Sequence, residues 1–301
     1  MPGIFLSEER MNSNFRDLLK TKGPIIFDGA MGTSLQSAGL PLGTAPEEWN
    51  LSHPERVRRV HISYVETGVD VIETNTFGAN RVRLEKYKLG RMIDEINRKG
   101  VQIARQASSS CLVGASVGPL GVLIEPWGDF SQDEAFLAFK EQIEALCLEK
   151  IDLIIIETMM DLNEARLAAV AARSVCDLPI VCQVTFSARG RTLMGDDPRS
   201  VVETLSGLGI EAVGANCSLG PGELFPLVEE IVTLSRLPVV VQPNAGQPRL
   251  KQGKTVYSVS GNEFSEWAEK FVDMGVKIVG GCCGTTPSHL RATVERLKEK
   301  S

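Results

Sequence analysis

Histidine is nearly missing from this chain: three in 301 residues, at His53, His61 and His289. All three fall in segments that read as helix or loop, so chemistry driven by a histidine base is not expected. Long apolar runs are missing as well. Each hydrophobic stretch is soon interrupted, too short for the roughly 20 residues that span a bilayer. The first twenty residues, MPGIFLSEERMNSNFRDLLK, lack the apolar segment of a secretory signal. A cytoplasmic protein without membrane attachment is the expectation. Basic residues number 32 against 38 acidic ones, for a net charge of −6, and they are scattered. No nucleic-acid partner is expected, and the densest basic stretch, RVRRVH at Arg56–His61, reads as a solvated helix face. No GxGxxG stands at a strand–helix junction, which removes the main argument for a dinucleotide-binding open sheet. No low-complexity linker divides the chain. One domain over residues 21–301 is expected, behind an N-terminal extension at residues 1–20.

What the chain does have is a 43% hydrophobic composition, ample for a large core, and seven cysteines. In a reducing compartment clustered cysteines point to metal binding or catalysis rather than to disulfides. Short β-branched runs recur: PIIFDGAM from Pro24, VDVIETNTFG from Val69, CLVGASVGP from Cys111, DLIIIETM from Asp152, LPIVCQVTF from Leu178, EAVGANCS from Glu211, LPVVVQPNAG from Leu237 and VKIVGGCCG from Val276. They are continuously apolar rather than alternating, as strands of a parallel sheet buried on both faces are. Between them lie helix-spaced segments such as PERVRRVHISYVETG, DEAFLAFKEQIEALCLEK and EFSEWAEKFVDMG. Eight strand–helix units in this length predict an α/β fold, a single (β/α)8 TIM barrel.

Barrel chemistry sits at the C-terminal ends of the strands. The rim then gathers Asp28, Glu73–Asn75, Ser116, Glu157, Thr185, Asn216 with Cys217, Asn244, and Cys282 with Cys283. Cys217 ends the sixth strand and the adjacent pair ends the eighth, with one strand between them in a curved wall. Three thiolates converging there suit a zinc ion with one open position, and Gly280, Gly281 and Gly284 would let the chain turn both neighbouring side chains inward. A buried or oxidised pair with an unrelated Cys217 fits the spacing equally well. Cys111, Cys147, Cys176 and Cys182 read as core thiols. Trp127, in the loop IEPWGDFSQ, either shapes a ligand's approach or packs beneath its own loop.

The segments FDGAMGT (Phe27–Thr33), ETNTFGAN (Glu73–Asn80), IETMMDLNEA (Ile156–Ala165), GRTLMGDD (Gly190–Asp197), GANCSLGP (Gly214–Pro221), QPNAGQP (Gln242–Pro248) and GGCCGTTPSH (Gly280–His289) resemble the homocysteine S-methyltransferase family. The similarity is to the homocysteine-binding module of the cobalamin-dependent methionine synthase branch. That resemblance implies a zinc-containing barrel with Cys217, Cys282 and Cys283 as ligands. It implies transfer of a methyl group to the thiol of homocysteine, giving methionine. The donor would be methylcobalamin or a methylated corrinoid on a separate corrinoid protein, since no DxHxxG corrinoid signature occurs here. Betaine, S-methylmethionine or another onium donor is the alternative, and a zinc-stabilised binding or thiol-sensing barrel is the non-enzymatic one. Homocysteine carries an ammonium and a carboxylate. Glu157 and Asp28 are expected on the ammonium, and the backbone amides of Gly29, Ala30 and Met31 on the carboxylate, although Asp28 could be a helix cap and Glu157 could pair with Arg166. Asn216 is expected beside the substrate as an orienting group. Asn244 is expected to complete the metal shell when substrate is absent, with water or a purely structural turn as the other readings.

Overall fold

The computed structural model describes residues 14–251 and 254–298. Within them, ten strands follow in chain order: β1 (Ile25–Ile26), β2 (Val71–Glu73), β3 (Leu112–Val117), β4 (Leu153–Met159), β5 (Ile180–Val184), β6 (Ala212–Asn216), β7 (Val239–Gln242), β8 (Arg249–Lys251), β9 (Lys254–Val256) and β10 (Ile278–Val279). Eight of these form one parallel sheet in the order β1-β10-β7-β6-β5-β4-β3-β2. A parallel bridge from Phe27 to Val71 joins its two edges, and Asp28 N donates to Val71 O and Asp70 N to Ile26 O across the same seam. The sheet therefore closes on itself as the expected (β/α)8 barrel, and this eight-stranded sheet leaves no free edge. β8 and β9 form a separate antiparallel hairpin in the loop after β7.

The apolar strand residues divide between two cores. Phe27, Val71, Leu153, Ile155, Val181, Val240 and Ile278 pack together as one cluster, the side chains that fill a barrel's interior. Their neighbours, such as Ile154, Ile156, Val213 and Val241, belong to a larger cluster with the surrounding helices. Continuous hydrophobic strands are the consequence of burial on both faces. The helices begin and end where local chemistry dictates. Ser131 and Glu134 form a capping box at the start of Gln132–Cys147, and Asp197 caps Pro198–Ser206 with proline in the first turn.

The segment expected as an extension takes part in the barrel from Phe15 onward. Helix Phe15–Lys20 buries Phe15 and Leu18 in the interior cluster, and the Phe15 ring lies 6.1 Å from that of Phe27. Residues 1–13 of that expected extension lie outside the described residues. Helix Pro54–Val65 is only partly the solvated face its charges suggested, since Val57, Val60 and His61 are buried. Burial holds His61 neutral, with its pKa pushed down to about 4. Among the described residues, no helix is long and apolar enough to cross a membrane.

Candidate metal centre and substrate site

Cys217, Cys282 and Cys283 converge at the C-terminal end of the barrel, their sulfurs within 4.8 Å of one another. The Cys217 and Cys283 sulfurs are 3.9 Å apart. A tetrahedral ion with metal–sulfur bonds of about 2.3 Å separates its sulfurs by about 3.8 Å, whereas a disulfide needs about 2.05 Å. All seven cysteines are free thiols, so the oxidised-pair reading is not realised. The Cys217–Cys283 spacing is thus that of two sulfurs on a shared ion.

Backbone constraints place these sulfurs. Cys217 and Ser218 adopt left-handed φ angles of 59° and 55°, costly for side chains larger than glycine and concentrated at functional sites. Cys217 N donates to Gln242 O, Cys282 N to Pro243 O and Ala245 N to Cys283 O, so the segment after β7 stitches both cysteine turns together. The glycines around the pair serve two purposes. Gly284 needs its positive φ of 82°, and a Cβ there would strike the Tyr257 ring. Gly280 and Gly281 make no such turn and are small for packing, because a Cβ would meet Phe27 or Thr285.

The donor set suits a dication. Hydrogen bonds from Cys217 and Cys282 hold the Cys283 thiol far below its ordinary range. Cys282 is pushed well up, first by its hydrogen bonds with Cys217 and Cys283 and then by burial. For Cys217 the Cys282 hydrogen bond lowers the pKa, but the Cys283 hydrogen bond and burial outweigh it. The cluster thus favours one thiolate, at Cys283, over ionisation of all three, and a dication would supply the field that ionises the others. Asn244 adds a second sign of fit. Its backbone N donates to Leu219 O, yet its side-chain Oδ1 is buried with no hydrogen-bond partner. Its chain neighbours Pro243 and Ala245 are bonded to the backbone of Cys282 and Cys283, so a buried acceptor without a partner stands in the segment that holds the two cysteines, which fits a ligand role.

Next to the sulfurs lies a cluster of three carboxyls at the ends of β1, β2 and β4, with Asp28 buried and Glu73 and Glu157 half-buried. Asp28 Oδ2 accepts from Glu73 N at 3.1 Å, while Asp28 Oδ1 is buried and unpartnered. Glu73 accepts from Gln242 Nε2 at 2.7 Å, and Gln242 in turn accepts from Gln183 at 2.6 Å. Glu73 and Glu157 are hydrogen-bonded to each other. Glu157 also accepts from Ser116 Oγ at 2.5 Å and from Asn216 Nδ2 at 3.2 Å. Burial raises the pKa of all three acids. For Glu73, repulsion from Glu157 and Asp28 adds to it. Such a cluster has a strong preference for an incoming cation.

Not every expected role is free. The Ala30 amide donates to Thr285 Oγ1 at 3.1 Å, so it is already engaged within the protein, while Met31 opens helix Met31–Ser37 and Gly29 packs tightly on Thr285. Asn216 is buried and spends its side chain on Glu157, Thr158 and, at 4.0 Å, the Cys282 sulfur, which makes it an orienting group. Arg166 bonds Asn163 and Gln132 and leaves Glu157 to the site. Trp127 is 61% exposed, so it does not pack beneath its loop. Cys111 and Cys182 are buried as expected, but Cys147 and Cys176 are half-buried and hydrogen-bonded to each other. Three residues escaped sequence reasoning. Glu73 stood on the rim without a role, Gln242 stood in the QPNAG segment, and Tyr257, whose hydroxyl donates to the Cys283 sulfur, had no signal beyond its place before a helix.

Comparison with known proteins agrees with this geometry. The family described as homocysteine S-methyltransferase matches residues 25–297. The methionine synthases of Mycobacterium tuberculosis and Mycobacterium leprae are 32% and 31% identical over 296 residues, covering 91% of this chain. The chain spans about a quarter of their length, 25% and 24% respectively. The metallated crystal structure of the Escherichia coli homocysteine methyltransferase MmuM superposes with a TM-score of 0.80, covering 93% of this chain and 99% of that one at 24% identity, a likeness of fold. Taken with the converging thiols and the closed barrel, these matches establish that the chain belongs to the homocysteine S-methyltransferase family.

Proposed function

We propose that this protein binds zinc through Cys217, Cys282 and Cys283 and transfers a methyl group from a methylated corrinoid to homocysteine, forming methionine. The observation that carries the reading is the meeting of three thiols, an orphan amide oxygen at Asn244 and an acid cluster in one barrel mouth. When bound, the ion supplies Lewis acidity that keeps an alkyl thiol deprotonated near neutral pH, where it would otherwise be mostly protonated. No histidine base is then required.

The chain's own residues fix the amino acid end of the substrate. Glu157 and the free Oδ1 of Asp28 receive the ammonium, and Ser116 and Asn216 hold the Glu157 carboxylate in place. The backbone amides of Gly29 and Met31 take the carboxylate, while Ala30 is tied to Thr285. Asn244 fills the remaining ligand position in the absence of substrate. The hydroxyl of Tyr257 steadies the Cys283 sulfur. Methyl transfer forms one sulfur–carbon bond, and the donor departs with the electron pair of its broken methyl bond. The mycobacterial relatives' name supports methionine as the product. The donor is methylcobalamin, free or borne by a separate corrinoid protein, and seven free cysteines suit a reducing, cytoplasmic location.

The test is methionine formation by purified protein from homocysteine with methylcobalamin, betaine and S-methylmethionine, each with and without a chelator. Chelator-sensitive turnover with methylcobalamin is expected. A Cys217→Ala variant that kept both its zinc and its activity would remove the metal centre from the mechanism.

A further inference from the structure

A second concavity adjoins the thiol centre. It is a groove of about 1100 Å³, bordered by helices Met31–Ser37 and Pro54–Val65 on one side and by Tyr257 and the turn Gly284–Thr286 on the other. The two spaces share a wall. Tyr257 lines the groove, and its ring packs on Gly284, the residue next to Cys283. Gly284, packed against the Tyr257 ring, follows Cys283 directly and donates its N–H to Thr33 Oγ1 at 3.3 Å.

Two guanidinium groups line this groove, Arg56 and Arg59. Arg56 is held in place, since its Nη1 donates to Ala38 O at 2.9 Å and its guanidinium lies 5.0 Å from the Trp49 ring centroid. Arg59 Nε donates to Glu55 O at 3.2 Å. Neither forms an ion pair among the described residues, whereas Arg58 of the same helix pairs with Glu55 at 3.5 Å. Like charges three residues apart on a helix repel, and the chain as a whole is acidic. Ser37, Ser63 and Thr286 also line it, but their hydroxyls are engaged with Thr33 O, Val60 O and His289 Nδ1, which leaves the two guanidiniums as the recognition groups. Planar guanidiniums are the groups that recognise phosphate oxygens. The groove also exceeds the roughly 300–1,000 Å³ typical of drug-sized ligands. A small onium donor would fill only a fraction of it and would meet two like charges.

We propose that this groove receives a bulky methyl donor carrying a phosphodiester, held by Arg56 and Arg59, and presents its methyl group past Tyr257 to the thiol centre. The inference rests on the methyl-transfer reading above and narrows its donor to a corrinoid with an intact nucleotide tail. In the transfer the cobalt–methyl bond breaks, its electron pair stays on the corrinoid, the new bond forms to homocysteine sulfur, and the thiol proton goes to solvent.

The test compares the wild type with Arg59→Gln and with Arg56→Gln/Arg59→Gln, all loaded with zinc. Methylcobalamin and methylcobinamide, which lacks the nucleotide phosphate, serve as donors. The double variant should raise the KM for methylcobalamin by at least about tenfold and leave that for methylcobinamide within about twofold. Arg59→Gln, at an exposed position, should show part of the same selective effect and guards against loss of fold in the double variant. Equal effects on both donors, or none, would overturn the proposal. Equilibrium dialysis of hydroxocobalamin against hydroxocobinamide provides a readout independent of turnover. Tighter binding of the cobalamin, abolished in the double variant, is expected. Equal binding of the two by the wild type would overturn the groove assignment whether or not methionine forms, whereas cobalamin-selective binding without methionine formation would leave the groove intact and refute the methyl-transfer reading.

Discussion

Replacing Glu157 with Gln tests the acid cluster most directly. The substitution keeps the shape of the side chain and removes one charge. Glu157 accepts from Ser116 and Asn216. In the variant Asn216 can still donate to the remaining oxygen, and the Ser116 hydroxyl can turn to accept from the new amide, so the site stays satisfied. On the proposed reading, what is lost is attraction to the homocysteine ammonium. Two unit charges at 4 Å with an effective dielectric of 20 attract by about 4 kcal/mol, and deleting one member of a buried, hydrogen-bonded pair costs about 2–5 kcal/mol. Asp28 and Glu73 remain nearby and share the cation, which places the expected loss at about 2–3 kcal/mol, a Kd for homocysteine about 30- to 150-fold higher.

Calorimetric titration of the zinc-loaded protein measures that loss, and 4-mercaptobutyrate, which lacks the ammonium, isolates its cause. The wild type should prefer homocysteine; Glu157→Gln should bind 4-mercaptobutyrate as the wild type does and lose most of the preference. The pH dependence has a definite sign. Burial raises the Glu157 pKa, and the ammonium pairs with the ionised form. Affinity for homocysteine should therefore fall as pH drops through that raised pKa, and this limb should vanish in the variant. Equal weakening for both ligands, or an unchanged acid limb, would show that Glu157 does not bind the ammonium.

Three further outcomes follow from the same structure. The Glu73 pKa is raised by burial and by its acidic neighbours, so the folded state holds its proton more tightly than the unfolded chain does. Its ionisation therefore penalises the substrate-free fold increasingly as pH rises above the ordinary glutamate pKa, and Glu73→Gln should raise Tm at pH 8 with little change near pH 4.5. Gly284→Ala sets a Cβ at φ 82° against the Tyr257 ring and should cost about 2–4 kcal/mol, seen as a Tm lower by roughly 3–6 °C. The hydrogen bond from Cys147 pulls Cys176 down to about 6, so peptide mapping after brief iodoacetamide treatment of the zinc-loaded protein at pH 7 should find Cys176 modified first. A Cys147→Ala change should slow that reaction.

How much of this was legible depends on the range of the physics involved. Apolar periodicity is local, and continuous runs such as DLIIIETM and LPVVVQPNAG announced buried parallel strands whose C-terminal ends form one rim. That one rule brought Asp28, Glu73, Glu157, Cys217, Asn244 and Cys282–Cys283 to the same end of the barrel before any coordinates. Contacts closed by the barrel itself were out of reach. The Glu73–Gln242 hydrogen bond joins residues 169 positions apart, and the Tyr257–Cys283 contact depends on how a hairpin folds back after β7. Composition also misled at a fine scale: RVRRVH looked like solvent-facing charge, yet it buries His61 and aims Arg56 and Arg59 along a groove. The left-handed φ of Cys217 carried no sequence signal, because only glycine advertises that conformation. A barrel can hold such a residue because the rest of the closed sheet over-determines its position. The proposed metal centre gives the strain at Cys217 and the orphan oxygen of Asn244 one explanation: both are costs that the fold carries in advance, and ligation of an ion by the three sulfurs and that oxygen would offset them.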